Sequence, residues 1–307
     1  MTASRSRPDE SLARFETTFP DDVSCLKWMF DARYGKGPNC RKCGKSAEWG
    51  KILGRHFRTK CCYDNLSPGS RTFLHKMRSS PRKCFYGMYL TSILDGKLTA
   101  RFLMRHLGLS TLAAWRLSDR IRAHMTLLSL ASRRPYGDKV YVDEMQIRTL
   151  ARGTGRHVRR TVVLGITDGI RPSFYCVPDR KGSTLCSIIE RNVAPGATIV
   201  VDGFHGYEQL ERRGYCRSTI IHSKGQWKNA AGDSNSHIEN CWREVRRRLE
   251  RVHRHVDTKH LWKYLGQLQF ILECRSQGRS PFWEAVKTFP EYTSATLAAA
   301  QASIVLR

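Results

Sequence analysis

Two apolar runs in this chain each stop at an aspartate: "KVYVDE" at Asp143 and "TIVVDG" at Asp202. Short apolar runs bounded by turn residues predict buried strands. An ionised carboxylate beside such a strand needs a cation or a metal to offset its lost hydration. A lone acid there reads equally well as a turn or cap residue. Two acids in matching contexts constrain the fold, because the ends of neighbouring strands in an α/β sheet open on one crevice.

The flanking sequence predicts the rest of that sheet. "KVYVDEMQI", "RTVVLGITDG" and "PSFYCVP" are β-rich runs split by turn residues, which predicts an antiparallel meander. "STLCSIIERNV" predicts a helix from Ser183 or Thr184, followed by the strand "ATIVVDG". "YEQLERRG" predicts a short helix ending at Gly214, and "STIIHS" a further strand. A long helix begins near residue 236, and "TKHLWKYLGQLQFILECR" predicts another. The order βββ-α-β-α-β-α predicts a ribonuclease H-like mixed sheet with helices on both faces, over residues 138–275.

The long helix supplies a third acid. Ile238, Trp242, Val245, Leu249 and Val252 recur at four- and three-residue steps, one apolar stripe that faces the sheet. Glu239 sits at the edge of that stripe in the first turn. Arg243, Arg246 and Arg247 occupy the flanking faces, where a phosphate backbone would approach. Alone, Glu239 also suits a helix N-terminus on dipole grounds. With Asp143 and Asp202 it makes a set of hard oxygen ligands suited to Mg²⁺ or Mn²⁺.

The N-terminal third is organised differently. "FPDDVSCLKWMFDARYG" predicts a helix from Asp21 or Asp22 to Gly35. Residues 36–76 are Gly-punctuated and alternating, with too little apolar area for a core of their own, and such a module needs a staple. Cys40-x-x-Cys43-Gly is half of a zinc site. A second pair is expected about 15–20 residues later, and "FRTKCCYD" places Cys61 and Cys62 there. Adjacent cysteines on a strand point apart, so His56 competes with them as a ligand beside Cys40 and Cys43. A ribbon without metal is the other reading. The remaining seven of the 11 cysteines read as small buried apolar residues.

From Pro81 to residue 131 the pattern is helical. A helix ends before Gly96, a second runs from a Thr99 cap to Gly108, and a third starts at Ser110. Helix, Gly-containing turn, helix is the helix-turn-helix pattern, and it is also that of an ordinary helical linker. Charge favours DNA. The 307 residues carry 53 Lys and Arg against 27 Asp and Glu, a formal charge of +26. A surface so basic attracts nucleic-acid phosphates without regard to sequence. Arg116, Arg120 and Arg122 are the expected basic face of the third helix. No run is apolar enough to span a membrane, and no secretory signal opens the chain, so a cytoplasmic, nucleoid-associated protein is expected.

At this point the chain resembles the insertion-sequence transposases of the DDE class that have an N-terminal zinc ribbon and an ISXO2-like transposase domain, a group related to the eukaryotic Merlin elements. The resemblance runs from about residue 15 to 275. It is carried by "FPDDVSCLKWMFDARYG", "LGLSTLAAWRLSDRIR", "VYVDE", "VVDGFHGY" and "IENCWREVRRRL" before "HLWKYL", in that order and spacing. It implies a multidomain α+β and α/β chain: an arm and helix at 1–35, a zinc-ribbon-like module at 36–76, a helix-turn-helix module at 81–131, a catalytic domain at 138–275 and a tail at 276–307. It implies that Asp143, Asp202 and Glu239 are a catalytic triad holding Mg²⁺ or Mn²⁺. It further implies that the protein binds double-stranded DNA at element ends and target, acts as a homo-oligomer, and cleaves and joins strands. It aligns the family's third ribbon cysteine with Thr59 and the fourth with Cys62. The chain departs from the family at Ser234 and Ser236, where a His and an Asn are usual, and at Ile271 and Glu273, where an Arg and an Asn are usual. Those departures keep a second reading open, a decayed or domesticated DNA-binding derivative.

Overall fold

The computed structural model describes residues 11–152, 156–221, 228–253 and 256–306. The polar arm at 1–10 and the end of the expected strand "STIIHS", from residue 222 on, lie outside them. Two compact units form. One comprises residues 1–128 with 278–297, the other 129–277 with 298–307.

In the first unit, α1 (Leu12–Thr18) and α2 (Asp22–Tyr34) begin at caps. Ser11 accepts from the Arg14 amide, and Asp21 and Ser24 form a capping box that satisfies otherwise orphaned N–H groups. Gly35 closes α2, as its left-handed φ of 56° permits. A small antiparallel sheet follows: β1 (Trp49–Leu53), β2 (His56–Thr59) and β3 (Asn65–Leu66). It rests on α2 through a core of Leu26, Phe30 and Phe57, with the Phe30 and Phe57 rings stacked at 4.4 Å.

Three helices complete the expected pattern. They are α3 (Pro81–Ile93), α4 (Ala100–Leu107) and α5 (Thr111–Ala131). Ser80 and Thr99 cap α3 and α4, and Ser110 accepts from the Ala113 amide at the start of α5. Gly108 ends α4 in the left-handed conformation, which frees the turn into α5. Residues 278–297, part of the 276–307 stretch read from sequence as a tail, belong to this unit. The short helix Pro281–Ala285 buries Phe282 among Phe15, Phe19 and Tyr89, and the Trp28 indole donates to the Val286 carbonyl at 2.7 Å.

The second unit is built on a mixed six-stranded sheet. It holds β4 (Lys139–Arg152), β5 (Arg156–Thr167), β6 (Pro172–Val177), β7 (Thr198–Asp202), β8 (Cys216–Ile220) and β9 (Val256–Asp257). The order is β6-β5-β4-β7-β8, with β9 beside β4. The meander β4-β5-β6 is antiparallel, as its turn spacing predicts, and β4, β7 and β8 run parallel. α6 (Gly182–Asn192), α7 (Ser236–Arg246) and α8 (Leu261–Ser276) accompany the sheet. The core runs through Val140, Val142, Leu164, Ile166, Ile189, Ile199 and Val201, all fully buried.

Two elements differ from expectation. "YEQLERRG" forms a 3-10 segment, His205–Arg213, not an α-helix. The long helix is regular only to Arg246, and a π-helical stretch covers Arg247–Val252. There the Arg248 side chain is buried and pairs with Glu244 at 2.7 Å, an ion pair within the helix itself. No helix among the described residues is long and apolar enough to cross a membrane.

Candidate active site and cysteine cluster

β4 and β7 pair in parallel with Tyr141 opposite Val200. The pairing stops there; Asp143 and Asp202 each lie two residues further along their strands, near enough for the Asp202 charge to act on Asp143. Asp202 is the last residue of β7. Asp143 is not a strand end, as the sequence suggested: β4 continues to Arg152, paired with β5. What ends near Asp143 is the pairing with β7.

Each aspartate is held by backbone and side-chain donors. Asp143 Oδ1 accepts from the Glu144 amide at 2.8 Å, and its Oδ2 accepts from the Trp242 indole N–H at 2.8 Å. Asp202 Oδ1 accepts from the Phe204 amide at 3.0 Å. Burial pushes the Asp143 carboxyl up to about 7. The indole opposes that shift, and the charges of Glu144 and Asp202 add to it. A carboxyl so placed gains from any cation that reaches it.

The indole reaches Asp143 because α7 lies directly on the sheet. Gly165 pairs with Asp143 across β4 and β5. A Cβ at Gly165 would meet the Trp242 ring at 2.7 Å and Ile238 at 2.8 Å. Only glycine leaves that space, so the helix seats its buried stripe of Ile238, Trp242 and Val245 against β5. Glu239, exposed, is three residues before Trp242 in the first turn of α7. Positions three apart lie on neighbouring faces of a helix, so Glu239 flanks the side whose indole reaches Asp143. Arg243, Arg246 and Arg247 are exposed, as the stripe predicted. Ser234 and Ser236, at the departures, bond to each other at 2.8 Å, and Ile271 is fully buried in α8.

Sequence reading missed a second layer around these acids. Glu144 accepts from the Tyr207 hydroxyl at 2.5 Å and from the Arg180 guanidinium, which lies over the Phe204 ring at 4.6 Å. Tyr207 and Phe204 belong to the quoted run "VVDGFHGY". The adjacency of Glu144 to Asp143 was visible, but partners 36 and 63 residues away were not. Asp233, also overlooked, bonds Lys139 and Ser218, both at 2.7 Å, and so ties the segment before α7 to β4 and β8.

The arginines expected on the third helix separate. Arg116 is exposed. Arg120 turns inward: its guanidinium donates to the Phe73 and His75 carbonyls and lies over the Tyr292 ring at 5.2 Å. Arg122, expected on the exposed basic face, is 7% exposed and therefore buried. The helical period puts it on the same side as Ser118 and Met125, which are buried as well.

In the first unit the thiols of Cys40, Cys43, Cys61 and Cys62 lie within 4.8 Å of one another. His56, on β2, is not in this group. Cys61 and Cys62 converge because they follow β2 in a turn, whereas neighbours on a strand would diverge. Tyr63 closes that turn at a left-handed φ of 54°. Thr59, the place of the family's third cysteine, is buried, and its hydroxyl accepts from the Asp64 amide at 2.9 Å. Asp64 in turn pairs with Arg41 at 2.7 Å, which joins the two cysteine loops. Burial raises the Cys40 thiol, but the amides of Cys43 and Lys42 and the neighbouring thiols bring it down to about 6. Hydrogen bonding with Cys43 pushes Cys62 up to about 12. Four thiols at this separation suit one tetrahedral ion.

Residues 137–272 match the family model of the ISXO2-like transposase domain, as the resemblance in the sequence led us to expect. No curated protein matches the chain.

Proposed function

We propose, from a chain whose residues 137–272 form an insertion-sequence transposase domain, that the protein binds the ends of its element and cleaves and joins DNA strands at Asp143, Asp202 and Glu239. The observation that carries this reading is the place of Asp143 and Asp202 just past the end of the β4–β7 pairing, with Trp242 of the Glu239-bearing helix bonded to Asp143. The same strand order, with its antiparallel meander and parallel partners, supports a ribonuclease H-like sheet.

By donor type the three acids suit a divalent hard cation, although among the described residues only the four thiols already lie within 4.8 Å of one another. Asp143 is pushed up by burial and by neighbouring carboxylates, so the site favours added positive charge. Asp143, Asp202 and Glu239 would hold Mg²⁺ or Mn²⁺, and two such ions supply charge stabilisation for the attacking and leaving oxygens of a phosphodiester displacement. The chain's own part is orientation. Trp242 and the Glu144 amide fix the Asp143 carboxylate, the Phe204 amide fixes Asp202, and Arg180 with Tyr207 neutralises and holds Glu144.

DNA contact is assigned to α4 and α5, with Arg116 exposed at the start of α5, and to Arg243, Arg246 and Arg247 beside Glu239. The four-cysteine cluster takes Zn²⁺, and the protein acts on DNA as a homo-oligomer. Ser234, Ser236, Ile271 and Glu273 support a second reading, in which DNA binding remains and chemistry is lost. Gel-shift and nicking assays on wild type and Asp202→Ala, with Mg²⁺ and with chelator, decide between the two. Expected is equal DNA binding, with nicking in wild type only. Wild type that binds and never nicks favours the derivative. Asp202→Ala that nicks as wild type does removes the triad.

A further inference from the structure

β4 and β5 outrun the sheet that holds them. The pairing of β4 with β7 reaches only Tyr141, and that of β5 with β6 stops at Val162. Beyond those points the two strands continue as an antiparallel ribbon to Arg152 opposite Arg156; among the described residues the further strand paired with it is β9, at Thr149 and Leu150, where the Thr258 hydroxyl also bonds. Between residues 148 and 160 the sequence has five arginines and no acid.

Arg148 stands directly opposite Arg160, and both are exposed. Side chains directly across an antiparallel pair are close neighbours, and like charges there are destabilising. Among the described residues no carboxylate pairs with either arginine. Leu150 and Val158 occupy the next opposed position on the same face, where Val158 is 64% exposed. Arg159, on the other face, is exposed too. A partner with closely spaced negative charge would turn the repulsion into attraction, and a two-stranded ribbon has the width that a DNA groove admits.

We propose that the β4–β5 ribbon is a second DNA-contact element, separate from α4 and α5, which sets Arg148 and Arg160 against the phosphates of a duplex. This rests on the transposase reading, since it takes DNA as the partner. Arginine contacts to phosphate carry no base information, so the ribbon grips element ends and unrelated duplex alike.

The test compares full-length wild type with Arg148→Gln/Arg160→Gln and with a control of matched charge, Arg191→Gln/Arg212→Gln, which removes two exposed arginines of α6 and the 3-10 segment. Binding to an element-end duplex and to an unrelated duplex is measured across salt concentrations, with thermal midpoints alongside. The ribbon variant is expected to bind both duplexes about tenfold more weakly, with the log–log salt slope reduced by about 1.8, the share of two phosphate contacts. Its thermal midpoint should hold or rise, because a like-charge pair is gone. Arg148→Lys/Arg160→Lys should bind nearly as wild type does. Unchanged binding in the ribbon variant overturns the proposal and leaves the transposase reading standing. Equal losses in the control reduce the effect to bulk charge and overturn it as well. A loss confined to the element end overturns the phosphate assignment. Wild type that binds neither duplex removes both the proposal and the reading beneath it.

Discussion

The two candidate metal-binding regions are built on opposite terms. The acids sit on a sheet whose core, from Val140 and Val142 through Leu164 to Val201, is complete without them. The cysteines sit in a module whose own core is Leu26, Phe30 and Phe57 against a three-stranded sheet. A sheet with a complete core keeps its shape whether or not an ion is bound. A module with so little apolar surface gains its fold largely from the ion. The first arrangement suits chemistry, where an ion can come and go without loss of the fold. The second suits a structural clip.

Metal removal should affect the two regions most unequally. Cys40→Ser, or chelation of zinc, should unfold residues 36–76 and leave the six-stranded unit intact. The binding energy of structural zinc sites, about 10–16 kcal/mol in small peptides, far exceeds what this small core offers. Limited proteolysis with mass spectrometry reads it directly. New cleavage within residues 36–76, with residues 138–275 protected, is expected. A ribbon that resists proteolysis in zinc-free protein shows that the core suffices and the comparison fails.

The next effect is on the seat of α7. Gly165→Ala puts a methyl group where the Trp242 ring and Ile238 now lie, at 2.7 and 2.8 Å. Overpacking of this kind costs about 1–3 kcal/mol. It should also lift Trp242 from Asp143 and shift Glu239 relative to the strands. Denaturant unfolding and nicking assays together check this: a modest stability loss with a large activity loss is expected. Full activity in Gly165→Ala would mean that the position of α7 does not matter to the chemistry.

How far the sequence disclosed these regions follows from the range of the forces involved. Helix limits were legible because caps act within one turn: Asp21 and Gly35 bound α2, Thr99 and Gly108 bound α4, and Ser110 opens α5. Asp143 and Asp202 stood out because an acid interrupts an apolar run. Periodicity placed Ile238, Trp242 and Val245 inside correctly. Other features depend on distant partners and left no local mark. The Glu144 contacts to Arg180 and Tyr207 are of this kind. So is the burial of Arg122, on a helix whose composition reads as basic and exposed. The convergence of Cys61 and Cys62 required a turn after Thr59, and two adjacent cysteines do not announce one.

The finest test concerns the proton on Asp143. Its folded-state value of about 7 lies above the ordinary 3.8 because burial, Glu144 and Asp202 outweigh the Trp242 indole. Between those values the folded protein holds a proton that the unfolded chain has released. In metal-free protein this group therefore favours folding fully below about pH 4, and the contribution is lost as pH rises through about 7. Metal binding runs the other way, since a ligand carboxylate must be ionised. With one proton displaced, Mn²⁺ affinity at pH 6 should be about tenfold below its plateau at pH 8 and above, with little change between pH 8 and 9. Trp242→Phe removes a donor that favours the ionised form, so the same curve should move to higher pH, with DNA binding unaffected. Mn²⁺ titrations of both proteins across this range measure the two midpoints. Coincident midpoints would show that the indole packs against the sheet without tuning Asp143, and a metal affinity flat from pH 6 to 8 would show that Asp143 is already ionised at the lower pH.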